Sequence, residues 1–511
     1  MKKNNTRKIG KKIVLGLSGG LLWGSAALVH AGEADILATI ASDMNRYETI
    51  ATATKNNEQY QPYIISVFEG KDLEKLGVAT LEEALVLAPG VDITTDNFNN
   101  RTMIFRGSNP QAYGQSKLFI DGTLVNEVFF DSYTQYLKMP VEMIKRIEIT
   151  RGPGSRTDGV NAYAGSIHVI TYAEEFEGFE SKDKLVFKGG SYNYKMGGFV
   201  KTYRAGELKI HTDFYYQQDD KTLEAGPDGW TQGYLSIPGV FDNTVYGRTG
   251  GDAQLWVKNW NLGITLDYKD FYLKLRNNDY THGSAYGINW YLPDEENRQK
   301  IPSRYAEVGY DTQTGAFSYS LKAGIKRDSW DSKAHLAPPG FTFFNYRILK
   351  TDPTNFDPAT DIVTFPDGTY GNHSAYQQSE YGSAFMHYDG WENHRITAGY
   401  RYLKEETYSM TSEHSDWDTG DPTPQESYTE LFPFFNGDAS RETNIFSVQD
   451  EYDVNEALSL IYGFSYEDTT YTDWVMDPRV SAVYQPDAQN IYKLIYSHSH
   501  RNPSWQEMLP N

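Results

Sequence analysis

From about Ser181 onward the chain is written in period two. Between residues 208 and 218, Leu208, Ile210, Thr212, Phe214 and Tyr216 fall on one face, while Lys209, His211 and Asp213 fall on the other. The same texture returns in QLWVKNWNLGITLDY, FYLKLRNN, FSYSLKAGIKR, HRITAGYRYLKEE, LSLIYGFSYEDTTY and IYKLIYSHSH. Alternation sustained over about ten residues describes a strand with one apolar and one wet face, as in the wall of a membrane-spanning β-barrel. Short turns such as Arg204-Ala205-Gly206-Glu207 and Val454-Asn455-Glu456 alternate with polar tracts at 277–304, 328–378 and 405–441. A barrel with tight turns at one rim and long loops at the other has this layout. Loops of that length are rare in a compact soluble sandwich.

Composition supports the same class. No stretch after the N-terminal region approaches the ~18–20 apolar residues of a transmembrane helix. Yet 39 Tyr, 25 Phe and 10 Trp make a chain with mean hydropathy −0.59 unusually aromatic, as expected where only alternate residues face lipid. A formal charge of −21 disfavours a nucleic-acid partner. The absence of cysteine removes disulfides and thiol chemistry from an exported chain. Export itself is predicted by Lys2, Lys3, Arg7, Lys8, Lys11 and Lys12 ahead of an apolar run at 13–29 and the small-residue pattern Val29-His30-Ala31. Residues 1–31 thus read as a signal peptide cleaved after Ala31.

Residues 61–175 have a different grammar. Two β-like runs, KLFID and RIEIT, end in the turn signals Asp121-Gly122 and Arg151-Gly152-Pro153-Gly154, and a third, SIHVIT, follows Gly159 and Gly165. Pro62-Tyr63-Ile64-Ile65-Ser66-Val67 predicts a first strand. Thr80 and Glu83 form a capping box for the helix LEEALVLA. Val91-Asp92-Ile93 and Met103-Ile104-Phe105 predict short strands, the second closed by Arg106-Gly107. This is a small α+β domain.

Lys117, Asp121-Gly122, Pro140-Val141-Glu142, Ile147-Glu148, Arg151-Gly152-Pro153, Ser155, Asn161-Ala162 and Gly165 together resemble the plug domain of TonB-dependent outer-membrane receptors. The family's pattern departs here at Asp158, Ser166 and His168. The resemblance implies a transmembrane antiparallel β-barrel of the 22-stranded type with an N-terminal α+β plug domain in its lumen. It divides the chain into a signal peptide (1–31), a periplasmic arm (32–60), a plug domain (61–175) and a partial β-barrel (181–511). In the arm, Glu48, Thr49, Ile50, Ala51, Thr52, Ala53 and Thr54 resemble the family's TonB box, which a TonB-type energy transducer in the periplasm captures as an added strand. The stretch 181–511 has room for about 13 to 16 strands, whereas plugged transporters have about 22. Arg501-Asn502-Pro503-Ser504 is similar to a motif that lies well before the family's C terminus, and Asn511 is not the usual terminal aromatic. The expectation is a C-terminally truncated receptor that would not work as a transporter by itself.

By the same resemblance, two plug loops meet substrate. They contribute Asn97, Asn99, Asn100 and Arg101 from the first, and Phe129, Phe130, Asp131, Tyr133 and Tyr136 from the second. Arg101 would offer a fork for oxygen anions, and the aromatics flat contact area for an organic chelate. Arg106, Glu148 and Arg151, charges at strand ends, are expected to form plug–barrel ionic contacts. The implied function is energy-coupled uptake of an iron chelate, a ferric siderophore, across the outer membrane of a Gram-negative bacterium, with haem or cobalamin as alternatives. Partners would be the transducer, outer-membrane lipid and the ferric chelate. A passive porin predicts neither plug nor arm. A receptor that also signals needs an added domain ahead of the box, for which residues 32–47 leave no room. No G-x-S-x-G elbow, HExxH, EF-hand or Walker motif occurs, so no enzyme, cofactor or resident metal is expected. His498 and His500 share a strand face and could ligate haem or a metal, whereas His282, His335, His373 and His414 lie in polar tracts without diagnostic spacing.

Overall fold

The computed structural model describes residues 64–96, 98–108, 114–152, 162–173, 183–225, 251–285, 296–337, 339–357, 359–416, 418–420, 424–427, 439–487 and 489–508. The expected signal peptide, the TonB-box residues 48–54 and Asn97 lie outside them.

The first domain opens with β1 (Ile65–Glu69), α1 (Gly70–Leu76) and α2 (Leu81–Leu85), followed by the hairpin β2 (Val91–Thr95) and β3 (Arg101–Phe105). Next come β4 (Ser116–Ile120), β5 (Thr123–Leu124), α3 (Thr134–Leu137), a 3-10 turn at Val141–Met143, β6 (Ile144–Arg151) and β7 (Gly165–Thr171). Five strands form one sheet in the order β1-β6-β7-β4-β5, with β4 and β7 parallel. Ile120 faces Thr123 across Asp121 and Gly122, both with positive φ, as a two-residue Asp-Gly hairpin turn requires. One sheet face presents Leu118, Ile120, Ile147, Ile149, Ile167 and Val169 to Leu73, Leu81 and Leu85 from the helices, and all are buried. On the other face, Phe119 stacks on His168 at 4.5 Å, which accounts for the histidine that departs from the family pattern. The capping box does not form: Glu83 accepts from the N–H of Ala79, one residue before the N-cap, and Thr80 makes no side-chain cap. The segment Pro140-Val141-Glu142 forms only this 3-10 turn, with Pro140 at its start.

The second unit is a 15-stranded antiparallel sheet among the described residues, within the expected range. It begins with β8 (Lys184–Gly189), β9 (Lys195–Ala205) and β10 (Leu208–Asp219), and an outer hairpin of β11 (Thr222–Ala225) and β12 (Gly251–Gln254) follows. It continues through β13 (Val257–Tyr268), β14 (Phe271–Gly283), β15 (Arg298–Lys300), β16 (Ser303–Thr314) and β17 (Phe317–Ala337). A second outer hairpin, β18 (Phe341–Phe344) and β19 (Ile362–Phe365), brackets α4 (Tyr346–Thr351). The wall ends with β20 (Thr369–Tyr388), β21 (His394–Ser415), β22 (Pro424–Ser427), β23 (Ala439–Asn455), β24 (Leu458–Thr469), β25 (Thr472–Asp487) and β26 (Asn490–Ser497). A last short helix, α5, spans Trp505–Met508.

The alternation read from the sequence is the in-out alternation of this wall. Leu185, Phe187, Val308, Leu321, Phe446, Val480 and Leu494 are exposed on the outside, whereas His211, Asp213, Asn261, Asn278, Gln377 and Thr443 are buried on the inside. Along the sheet each wall strand pairs with the next, and β8 and β26 are its two edges among the described residues. No described helix is long and apolar enough to cross a membrane. The tracts read as loops are in large part strand: β17, β20 and β21 run for 21, 20 and 22 residues. About ten tilted residues cross lipid, so the remainder extends past it with polar side chains such as Ser329, Asp331 and Lys333 outward, while inward ones such as Trp330, Ser332 and Ala334 stay buried. The first domain sits against the polar inner face, and Met196, Val200, Tyr215 and Tyr305 of the wall complete its apolar core.

Candidate functional site

The wall holds the inner domain largely by its main chain. Lys274 donates to the Asp121 carbonyl at 2.6 Å, Lys322 to the Gly122 carbonyl at 2.7 Å, and Lys326 to the Asn126 carbonyl. Three tight donors therefore converge on one turn and the strand leaving it. Asn278 donates to the Gln135 carbonyl and Gln217 to the Lys138 carbonyl, while from the inner domain Asn99 donates to the Gly283 carbonyl of the wall. In the reverse sense, the Phe129 N–H donates to Gln377 at 2.7 Å, and Thr123 donates to Glu307 at 3.1 Å. Ion pairs join Lys184 to Glu74 and Lys188 to Glu142.

Arg276 lies at the centre of this contact. It meets Asp213 through two hydrogen bonds of 2.9 Å, donates to Asn261 at 2.6 Å, and approaches Asp121 at 3.9 Å. A guanidinium 3% exposed is tolerable only because its donors are used and its charge is matched.

Arg106, Glu148 and Arg151, expected to bridge the plug to the barrel, instead make contacts within the inner domain. Arg106 donates to the Arg151 carbonyl, and Arg151 to the Pro89 carbonyl and Ser66 hydroxyl. Glu148 pairs with Arg146 at 2.6 Å. Burial and the nearby Arg106 lower the Arg151 guanidinium from its usual value.

The two loops expected to meet substrate are both at the domain–wall junction, but several of their side chains are committed inward. Asn99 is fully buried with φ 69°. Asn100 is held by Asp96, and Arg101 by Glu82 at 2.9 Å, so the fork expected to receive substrate oxygens is occupied by a carboxylate. Phe129 and Tyr136 are fully buried and Tyr133 nearly so, bonded to Ser116 at 2.6 Å. These three aromatics are packing residues rather than open platforms. Phe130 is half-buried and meets Trp330 of the wall edge-on at 5.3 Å. Asp131 binds Lys117 through both oxygens, at 2.5 and 2.6 Å.

Loop 126–132 owes its shape to two buried side chains. Asn126 accepts from the Leu118 N–H and donates to the Ser116 and Asp131 carbonyls. Glu127 accepts from the N–H groups of Phe129, Phe130 and Ser132. Burial, then the charge of Asp328, pushes its carboxyl up to about 7. The folded value exceeds the unfolded one, so stability from this group is fully present below the ordinary range and is lost as pH rises through about 7. Unfolding free energy should therefore fall between about pH 4.5 and pH 7, by at most on the order of 3 kcal/mol, lowering the melting temperature over that window, and Glu127→Gln should flatten that slope. Equal slopes in the two proteins would show that Glu127 does not titrate there.

Sequence pattern does not mark Trp505. The Arg501-Asn502-Pro503-Ser504 stretch turns back over the inner domain, tied by Arg501 to Glu507 at 2.5 Å, by Arg441 to the Pro503 carbonyl and by Asn502 to Glu467. It seats Trp505, fully buried, beside Phe129 and 5.1 Å from the Arg441 guanidinium. His498 and His500 do not face a ligand together; both ring Nδ1 atoms address Asp477, at 2.6 and 2.8 Å.

Between the inner domain and β17, β20, β21 and β23 lies about 930 Å³ of atom-free space lined by Lys117, Phe119, Glu127, Lys326, Tyr381 and Arg441. A larger space, about 1730 Å³, lies under Phe119 and His168 and reaches Lys209, Lys274, Glu307 and Arg401.

Residues 57–166 match the family described as "TonB-dependent Receptor Plug Domain". The vitamin B12 transporter BtuB of Vibrio vulnificus is 25% identical over 215 residues, which are 40% of this chain and 32% of that protein. This chain thus matches about a third of that relative's length. Among solved structures, the siderophore receptor PirA of Acinetobacter baumannii shares the fold with TM-score 0.57 at 14% identity, covering 88% of this chain and 62% of that one. The open form of the ferric-catecholate import receptor Fiu of E. coli K12 does so with TM-score 0.60 at 11% identity, covering 89% and 72%.

Proposed function

We infer that this chain, which belongs to the TonB-dependent receptor family, is an outer-membrane receptor of a Gram-negative bacterium. It binds an iron chelate, a ferric siderophore, outside the cell and passes it inward at the expense of energy delivered by a TonB-type transducer to residues 48–54. One observation carries the reading: a folded domain is docked in the polar lumen through the Asp121–Asn126 backbone. A passive pore has no use for such an obstruction. A solute can pass only if the plug shifts, and breaking that many buried hydrogen bonds requires work.

The chelate substrate is supported by the solved neighbours, a siderophore receptor and a ferric-catecholate importer. In this chain the first contact falls to Phe130 of the second apical loop, half-buried with Trp330 beside it. Cobalamin is the second reading, favoured by the relative that carries vitamin B12.

Uptake separates the two. Receptor-deficient cells carrying the chain joined to the remaining wall strands of a related receptor should accumulate iron from ferric enterobactin well above background. Removing residues 48–54 should reduce uptake to background while leaving surface-bound chelate unchanged. Accumulation of cyanocobalamin alone would replace the substrate, and iron uptake indifferent to the deletion would overturn the energy coupling.

A further inference from the structure

We propose that Arg304 and Arg327, on the outer face of the wall, bind the phosphate of an anionic lipid in the leaflet on the long-loop side. Arg304 lies on β16 directly opposite Arg327 on β17, and both are exposed. They point away from the lumen, because the residues flanking them, Ser303, Tyr305, Lys326 and Asp328, are buried on the inner face. The row continues on both sides: Asn277 of β14 faces Arg304, and Gln378 of β20 faces Arg327. Four neighbouring strands thus present one outward row of hydrogen-bond donors carrying two positive charges.

The depth of that row follows from the rows beneath it. Leu275, Ala306 and Ile325 come next, then Leu273, Val308 and Ala323. At the far end of β17, Phe317 meets Tyr388 at 4.6 Å, and Trp391 is 5.7 Å from Tyr388. Those rings form an aromatic girdle at the short-turn rim. Phe317 to Arg327 is a stretch of strand about 25 Å tall at the tilt of a barrel strand, the height of a barrel's apolar band. A second pair of rings, Tyr376 and Tyr408 at 6.2 Å, stands one row further out than Gln378. The arginines are therefore at the interface where headgroup phosphates lie.

Like charges directly opposite each other destabilise a sheet unless an anion neutralises them. The outward carboxylates nearby are engaged elsewhere. Asp279 takes Lys300 at 3.3 Å and Asp331 takes Arg298 at 3.8 Å, while Glu380 accepts from Gln378 at 2.8 Å and faces Lys404. Gln378 in turn accepts from Arg327 Nε at 2.8 Å, which orients the guanidinium and leaves its two terminal nitrogens for an anion. Arg304 makes no side-chain hydrogen bond or ion pair among the described residues. A phosphate seated between the two forks accepts from both. The apolar rows beneath give its acyl chains a surface, which a free phosphate would not use. The inference rests on the wall spanning an outer membrane with its short turns in the periplasm, not on the chelate or its energy coupling. Uptake of ferric enterobactin can fail while the lipid still binds, and the reverse.

The test is binding of radiolabelled lipid A, a phosphorylated glycolipid, to the full chain in detergent, measured by equilibrium gel filtration. Saturable retention is expected. Arg304→Gln and Arg327→Gln should each weaken it by about tenfold, as loss of a charged hydrogen bond does. Removing the phosphates from lipid A should weaken binding to the native chain at least as much, and equimolar inorganic phosphate should not displace it. Lys269→Gln, at the opposite rim and paired with Glu207, should leave binding unchanged. Because the two arginines are exposed and repel each other, the double variant should melt no lower than the native chain without lipid, and lipid A should raise the melting temperature of the native chain only. Equal retention of lipid A by the native chain and the double variant, equal retention of its dephosphorylated form, or displacement by inorganic phosphate would overturn the lipid site.

Discussion

Arg276→Ala should lower the stability of the plug–barrel unit by about 3–5 kcal/mol, the usual consequence of removing one partner from a buried ion pair. Two carboxylates are affected. Asp213 would lose its two 2.9 Å bonds and remain 1% exposed. Asp121, whose carboxylate already accepts from the Thr171 N–H and hydroxyl, would lose its nearest wall guanidinium. Thermal unfolding in detergent, followed by circular dichroism, measures the effect. Arg276→Ala with Asp213→Asn should recover part of the loss, because the uncompensated charge is removed. No recovery would mean that the guanidinium acts through packing alone.

Gly70→Ala should be the most damaging single-methyl change in the plug. A Cβ there would overlap the Ile144 carbonyl and lie 2.9 Å from its carbon, with the Lys145 carbonyl at 3.2 Å. All three atoms are main chain, so no side chain can swing away; α1 must lift from β6. A cost of about 3 kcal/mol is expected, at the upper end for overpacking. Gly77, at the end of the same helix, is the control. Its φ is +78° with nothing within 4 Å, so Gly77→Ala pays only for left-handed backbone, about 1 kcal/mol. Limited proteolysis of the plug ranks the two; equal sensitivity would refute the collision.

How much of this was legible follows from what each signal encodes. Asp121-Gly122 is a local instruction, and the turn forms as written. The faces of residues 208–218 are legible for the same reason, since a lipid face and a wet face must alternate. Strand length is not, because β17, β20 and β21 outrun the bilayer and there carry polar side chains on the outward face as well, as at Ser329, Asp331 and Lys333. Arg106, Glu148 and Arg151 show the limit for charges: burial demands a partner without naming it, and theirs are neighbours in the same domain. The lysines that do hold the plug donate to carbonyls, which every residue has, so no side-chain pattern near Asp121 announces them. Phe129, Tyr133 and Tyr136 fail for a related reason. An aromatic in a loop can be a platform or a core residue, and only the fold around it decides. Arg304 and Arg327 lie on different strands without recognisable spacing; the register of β16 and β17 sets them side by side.

The order of strands in the plug sheet has a mechanical consequence. β1 is one edge and β5 the other, and the wall's lysines hold the turn beside β5. Tension entering ahead of Ile65 is therefore borne first by the five residue pairs joining β1 to β6, with Arg151 bracing Ser66, while three strands separate β1 from the anchored edge. An edge strand can be peeled pair by pair, whereas the anchored side must yield nearly at once. The same load that strips β1 leaves the far side of the sheet in place, so a passage can open by partial unravelling without expelling the stopper.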